Sequence, residues 1–452
     1  MEEVKTNKLE IFETVPINKA VKSLAVPMII SQLIMLIYNL ADTFFLGKTG
    51  DTNQVAAVTL AFPIFMMISV IANLFGIGGG SLVSRLLGEA RVEEAGKVSS
   101  FIIWAGGITA LFLSALMVIL LPSLLGMLGA DESTYGFAAD YIRYTVIIGG
   151  LPSVLNMILS QLVRAGGAAK AASVGMSMGG IINLILDPIL ILGLHMNVAG
   201  AALATCISNT IAMIFYMVYL YKTRNTSPFH THIFAKLPST SLIGQIFAIG
   251  TPAALTVLLA SVSNSLMMSL MSGYSGTAIA GLGVAQKIEL IPFYIVQGIS
   301  SGVLPVLAFN YAAGNYERMH AAVKTAIRLG IIVAVTAFIL IELSASGLVH
   351  IFINSTEAIN YGAAFTRLRC LALPFITVEF MFIAVFQGIG SAKQALVLSF
   401  FRKGIFDLPV MFCLNMIWPL YGLMLVQPIM ECMGAVIAVI MYRVKMKKIN
   451  VG

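Results

Sequence analysis

Charge is scarce in this sequence. Asp, Glu, Lys and Arg make up 10% of its 452 residues, against about 25% in an ordinary soluble domain. Apolar residues make up 59%, where about 45–50% is usual, so a soluble globular fold is excluded, and disorder and a collagen-like fibre with it. Cysteine is nearly absent as well. Cys206, Cys370, Cys413 and Cys432 all lie in apolar runs without C-x-x-C or histidine spacing. That excludes a disulfide-stapled secreted fold and reads as small hydrophobes rather than a metal or redox site. No polar interval between the apolar runs is long enough to fold a catalytic domain. The expected class is an all-α integral membrane protein.

Runs long enough to cross a bilayer, about 20 residues each, occur twelve times. They fall near 24–47, 55–84, 98–121, 139–163, 170–192, 197–221, 242–271, 277–310, 322–344, 362–388, 393–417 and 421–443. They are continuous rather than alternating, which excludes a membrane β-barrel. Residues 1–23 mix Lys5, Lys8, Lys19 and Lys22 with Glu2, Glu3, Glu10 and Glu13. This is a cytosolic tail and not a signal peptide. With the amino terminus inside, every Lys and Arg falls on the cytoplasmic side except Lys48, Arg143, Lys287, Arg367 and Arg369. That bias orients a multi-pass protein of the plasma membrane with both termini cytoplasmic. The excess of 27 Lys and Arg over 20 Asp and Glu is therefore topological, and no nucleic-acid partner is expected.

The chain repeats itself. Pro27 and Asn39 recur as Pro252 and Asn264, Gly88 as Gly314, Pro152 as Pro374, Ala169-Lys170 as Ala392-Lys393 and Gly200 as Gly422. Such order predicts two parallel six-helix bundles, 24–222 and 242–445, facing each other across a central cleft. A polar cytosolic linker, 223–241, joins them, and 446–452 forms a second cytosolic tail. His230 and His232 in the linker read as solvated loop residues. The Gly76–Gly80 run lacks the Lys-Ser/Thr ending of a phosphate loop, and close helix packing or a hinge is the better reading.

Ionisable groups inside a span are costly and call for a partner or a task. In the first half only Asp42 and Asp187 lie deep. Asp42 shares a face of the first span with Tyr38 and Asn39, and Gln32 lies near the same stripe. Asp187 shares a face of the fifth span with Asn183, and the sixth offers Thr205 with Ala201 one turn before it. Asp42, Asn183, Asp187 and Thr205 can share one layer in the outer half of the first bundle. Two carboxylates in such a pocket cannot both stay ionised cheaply, so they hold a proton or take up a cation through oxygen ligands. The plainer reading is that Asp187 ends a helix before Pro188 and Asp42 sits at an interfacial turn. Asp42 maps onto Met267 in the second copy, which places ion coupling in the first bundle alone. Asn264 and the second-bundle residues Lys287, Glu289, Glu379 and Asp407 are candidates for the cargo cavity. Glu431 is a further buried acid there, and structural pairing remains open for these charged groups. Glu342, Arg367 and Arg369 read as snorkelling side chains. The 25 methionines read mainly as packing and lipid-facing residues.

These residues resemble a known family. Gly76–Gly88, ending Ser84-Arg85-Leu86-Leu87-Gly88, is similar to a signature of the MATE (multidrug and toxic compound extrusion) transporters, and Phe309–Asn315 looks like its counterpart in the second half. Arg164–Gly167, Asn183–Pro188 and Gly200–Thr205 are similar to the pattern of bacterial members. The resemblance implies V-forming bundles, alternating access, and export of cationic or amphipathic compounds by antiport with H⁺ or Na⁺. It implies ion coupling through Asp42, Asn183, Asp187, Ala201 (by its backbone) and Thr205, with Na⁺ held at Asn183, Asp187 and Thr205. A helix-seven acid of another branch is absent here, where Ser261, Ser263, Asn264 and Ser265 stand instead. No cofactor beyond the coupling ion and no enzymatic activity are expected, and a monomer in the bilayer is. The rival within transporters is a lipid-linked oligosaccharide or lipid flippase of the same superfamily. A major-facilitator fold lacks its basic signature here, a channel would need a continuous polar lining, and an intramembrane hydrolase would need a reactive pair from facing helices.

Overall fold

The computed structural model describes residues 9–224, 236–353, 355–402, 404 and 406–450. Residues 1–8, His230 and His232 of the linker, Lys403 and the last two residues lie outside them. Among the described residues the chain is helical throughout, without strands. The helices are α1 (Ile17–Gly47), α2 (Thr52–Gly88), α3 (Val92–Met127), α4 (Tyr135–Ile142), α5 (Gly150–Ala165), α6 (Ala169–Asp187), α7 (Asn197–Lys222) and α8 (Thr240–Met271). They continue with α9 (Gly276–Ala312), α10 (Tyr316–His350), α11 (Thr356–Cys370), α12 (Leu373–Gly388), α13 (Ala392–Arg402), α14 (Asp407–Ile417) and α15 (Tyr421–Asn450). Nine of the described helical stretches are long and apolar enough to cross a bilayer. Two bent pairs bring the number to eleven, and α13 with α14 fills the remaining apolar run.

The bends fall at matching places in the two halves. The fourth span bends by 53° between Tyr135–Ile148 and Gly150–Ala165, and the tenth by 44° between α11 and α12. Pro152, the third residue of α5, and Pro374, the second of α12, fit the first turn of a helix, where no intrahelical backbone donor is lost. The fifth span passes from α6 into a π-helical turn, Pro188–Gly193, and the eleventh breaks between α13 and α14. The first span starts at Ile17, seven residues before the apolar run, because Asn18, Lys19 and Lys22 continue its amphipathic first turns.

Helices α1–α7 pack among themselves, as do α8–α15, and the two sets meet along α2 with α8 and α1 with α9. Small residues allow that meeting. A Cβ on Gly78 would stand 2.3 Å from the Ile246 carbonyl oxygen, and one on Gly250 1.9 Å from that of Leu74. With no hydrophobic drive between helices in lipid, such backbone approach is a main source of helix association. Neighbouring Gly76 and Gly79 lie instead against Gln161 and Ile102, so the glycine run packs on three partners at once.

Among the described residues, the contacts of α2 with α8 and of the segment before α1 with the second bundle lie towards the chain termini. Ser81 Oγ donates to the Gln387 carbonyl (2.5 Å) and Arg85 Nη1 to Gln245 Oε1 (3.2 Å). The segment before α1 also crosses over. Phe12 is fully buried, 5.4 Å centroid to centroid from Phe309, and its carbonyl accepts from Asn310 and from Arg318 Nε (2.6 Å). Arg318 also donates to the Val15 carbonyl at 2.6 Å. Gln32 Nε2 donates to Gln297 Oε1 (2.8 Å), bridging α1 and α9.

The cysteines are free thiols. Cys206 and Cys370 are buried, but Cys413 is exposed and Cys432 half-buried, so the expectation of four buried cysteines is corrected for these two.

Candidate functional site

The deepest polar layer of the first bundle is built where α6 ends. Pro188 has no N–H and its ring crowds the carbonyl of Leu184, so a regular α-turn is not available. The chain widens into the π-turn Pro188–Gly193, a device common at functional sites. Asp187 is the last α-helical residue and is fully buried. Asn183, one turn earlier, is 1% exposed. With its amide turned to satisfy both ends, Asn183 donates to Asp187 Oδ2 at 3.3 Å and accepts from the Thr205 N–H at 3.2 Å. Thr205 Oγ1 in turn donates to the Ala201 carbonyl at 3.1 Å.

Asp42 on α1 completes the layer. Its carboxyl adjoins that of Asp187, with Tyr38 beside it and Tyr141 of α4 close by. Asp42 Oδ1 and Asp187 Oδ1 are both buried and neither has a hydrogen-bond partner in the protein. Buried polar atoms are normally paired, and a carboxylate oxygen left unpaired is costly. Two adjoining carboxyls that each keep such an oxygen fit a proton shared by the pair or a small hard cation.

The structure thus brings together Asp42, Asn183, Asp187, Ala201, Thr205 and Tyr38. It separates Asn39, which is exposed and donates to its own helix at the Met35 carbonyl (2.8 Å). The sequence reading overlooked three neighbours. Tyr141 precedes the π-turn Arg143–Ile148. Asn209 Nδ2 donates to the Thr205 carbonyl (3.0 Å), and Asn156 Nδ2 to Asn209 Oδ1 (2.8 Å). Asn209 stands four residues after Thr205, so helical spacing alone could have found it.

The second bundle differs from expectation. Glu289, Glu379 and Asp407, expected at the cargo cavity, are 5%, 0% and 1% exposed and lie inside the bundle. Glu289 is paired with Arg369 (2.8 Å) and accepts from Gln427, and Asp407 accepts from Ser263. Glu379 lies against Gly434, whose added Cβ would stand 2.5 Å from its carboxylate. Glu431 is 2% exposed. Arg369 does not snorkel. At 8% exposure it is the buried cation that Glu289 answers, because α9 and α11 pack directly. Arg367 and Glu342 form a loose, half-exposed pair at 3.6 Å. Only Asn264 and Lys287 of the expected cavity residues are open. Asn264 accepts from Gln286 (3.1 Å), and Lys287 lines a cavity between α1 and α9. Among the described residues no group of three or more His, Cys, Asp or Glu is placed to hold a metal ion.

Comparison with known proteins agrees with this architecture. The MatE family model matches residues 27–189 and again 252–413, one match in each half. The chain is 30% identical over 420 residues to the multidrug export protein MepA of Staphylococcus haemolyticus, covering 93% of this chain and 92% of that one. It is 29% identical over 437 residues to MepA of Staphylococcus aureus (strain MSSA476), covering 97% and 96%. A solved structure described as the outward-facing conformation of a multidrug resistance MATE family transporter superposes with a TM-score of 0.92 at 24% identity, covering 98% of this chain and 99% of that one.

Proposed function

The chain belongs to the MatE family of multidrug efflux transporters, and from that premise we propose that it exports cationic or amphipathic compounds by antiport with H⁺ or Na⁺. The observation that carries the coupling is the adjoining Asp42–Asp187 pair, in which each acid keeps one buried oxygen with no hydrogen-bond partner in the protein. Occupancy by a proton or cation neutralises the pair, and its loss leaves two buried charges repelling across α1 and α6. Sodium in this layer requires the Asn183 amide to rotate, so that its oxygen takes the place of its N–H towards Asp187 and joins Thr205 and the Ala201 carbonyl in an oxygen cage. Helix α1 is the natural transmitter, since it carries Asp42 on one face and borders the inter-bundle cavity on another.

The basic bias of the loops puts both termini in the cytoplasm and the protein in the plasma membrane. On that orientation the contacts along α1, α2, α8 and α9 seal the cytosolic side, and the described state faces outward. Alternating access then requires these contacts to break while the outer halves approach. The relatives it resembles are named as multidrug exporters, which leaves the flippase reading without support. The chemistry is transport rather than covalent turnover, with no cofactor but the ion, and a monomer suffices because one chain supplies both bundles.

The test is efflux of a fluorescent lipophilic cation from energised vesicles, with the proton and sodium gradients collapsed separately, for wild type and Asp42→Asn. Efflux that needs one gradient and is lost in Asp42→Asn supports the reading and names the ion. Wild-type efflux indifferent to both gradients contradicts it.

A further inference from the structure

The face of α1 that turns away from Asp42 borders a cavity of about 540 Å³ lined by Leu40, Ala41, Thr43, Phe44, Gly47 and Lys48 with Lys287 of α9 and Phe352. Leu40 and Phe44 each stand two residues from Asp42, about 200° around the helix. The acid pair and this cavity are therefore on opposite sides of one helix. The cavity wall is apolar except for Thr43 and two ammonium groups, and no carboxylate lines it.

Lys287 is the anomaly. It lies eleven residues into α9, about 16 Å along the axis from Gly276, half-buried at the cavity wall. A cation within a span normally faces a partner. Among the described residues no ion pair forms to it. The neighbouring acid Glu289 is committed to Arg369 and Gln427, and Asp42 points to Asp187. Lys48, exposed at the end of α1, likewise has no carboxylate among the described residues, and the Phe44 ring lies 5.4 Å from its Nζ. Two cations with an apolar wall between them lack an anion.

We propose that this cavity binds the acidic group of an amphiphile, a phosphate, sulfonate or carboxylate, between Lys287 and Lys48, with its apolar body against Leu40, Ala41, Phe44 and Phe352. The inference rests on the export reading and sharpens it, since the cargo then includes acidic and amphoteric amphiphiles and not cations alone. A phospholipid of the outer half of the bilayer carries the same chemistry.

The test uses the full chain in a non-ionic detergent, with decyl phosphate and decyltrimethylammonium as probes and thermal stabilisation as readout. Wild type is expected to be stabilised by decyl phosphate at a concentration at least tenfold below that needed of the cation. Lys287→Gln should raise that concentration at least tenfold and Lys287→Arg should keep it, with Lys324→Gln as an unaffected control. Without ligand, Lys287→Gln should melt no lower than wild type, because it removes a half-buried charge that no carboxylate answers. Equal response to the two probes in wild type, or unchanged decyl phosphate binding in Lys287→Gln, overturns the proposal. A lower unliganded melt in Lys287→Gln overturns it too, by showing a protein partner.

Two further arms separate the sources and the readings. In nanodiscs, displacement of decyl phosphate by phosphatidylglycerol but not phosphatidylcholine identifies a lipid occupant. Binding indifferent to lipid, with outward transport of dansyl-undecanoate that falls at least tenfold in Lys287→Gln, identifies cargo. Anion binding that depends on Lys287 in a protein that exports nothing would sink the export reading and leave the site standing. Export without anion preference would do the reverse.

Discussion

At the scale of single residues, the acid layer follows from rarity. Only two acids lie deep in the first half, and helical spacing assigns each its neighbours, so Asp42, Asn183, Asp187 and Thr205 were legible before any coordinates. Replacing Asp187 by Asn should therefore abolish gradient-driven efflux while surface expression holds, whereas Glu342→Gln, half-exposed beside Arg367, should change efflux less than twofold. Transport assays normalised to membrane abundance check both. Arg369 was illegible for the opposite reason. It lies near the end of an apolar run, where snorkelling is the ordinary fate, and its partner Glu289 is 80 residues away. Tyr141 gave no signal because it is one of 14 tyrosines in the chain and most spans carry aromatic residues. A buried pair severed on one side costs about 3–5 kcal/mol. Glu289→Gln should accordingly lower the melting temperature sharply, and Glu289→Met with Arg369→Leu should recover most of the loss.

At the scale of elements, the account turns on how α2 meets α8. Twelve spans and the duplication were readable from run length and recurring landmarks, but which helices touch was not, since close approach depends on where small residues face. Gly250→Ala would drive a methyl into the Leu74 carbonyl, and overpacking of this kind costs about 1–3 kcal/mol. Gly244 on the same helix has nothing within 4 Å of an added Cβ, so Gly244→Ala should leave the melt unchanged or raise it. A thermal melt of the two variants side by side decides whether the contact or the glycine itself matters. The segment before α1 was read as a cytosolic tail without a packing role assigned to it, and Phe12 is buried against Phe309 while Arg318 binds the Val15 carbonyl. The charges around it hid that anchor, since one buried ring among Glu10, Glu13 and Lys19 leaves no apolar run. Arg318→Ala should raise hydrogen exchange at residues 9–16 without altering the core of α9.

At the scale of the molecule, the two bundles are joined on the side of the termini, and α1 carries Asp42 on one face and the wall of the inter-bundle cavity on another. If alternating access is the mechanism, tethering that side stops it. In a background without the native cysteines, joining Gln32→Cys to Gln297→Cys by a short cross-linker should arrest efflux, and a cleavable linker should restore it on reduction. The two glutamines already share a 2.8 Å hydrogen bond, so the tether holds the described state without distorting it. The central claim, that one acid layer exchanges its ion against cargo, is tested most directly by ion release. Purified protein in weak buffer, loaded with ²²Na⁺ or poised with its protons bound, would be mixed with tetraphenylphosphonium while proton and sodium release are followed. The account predicts release of one or the other ion from wild type and none from Asp42→Asn or Asp187→Asn. Equal release from Asp42→Asn would contradict it.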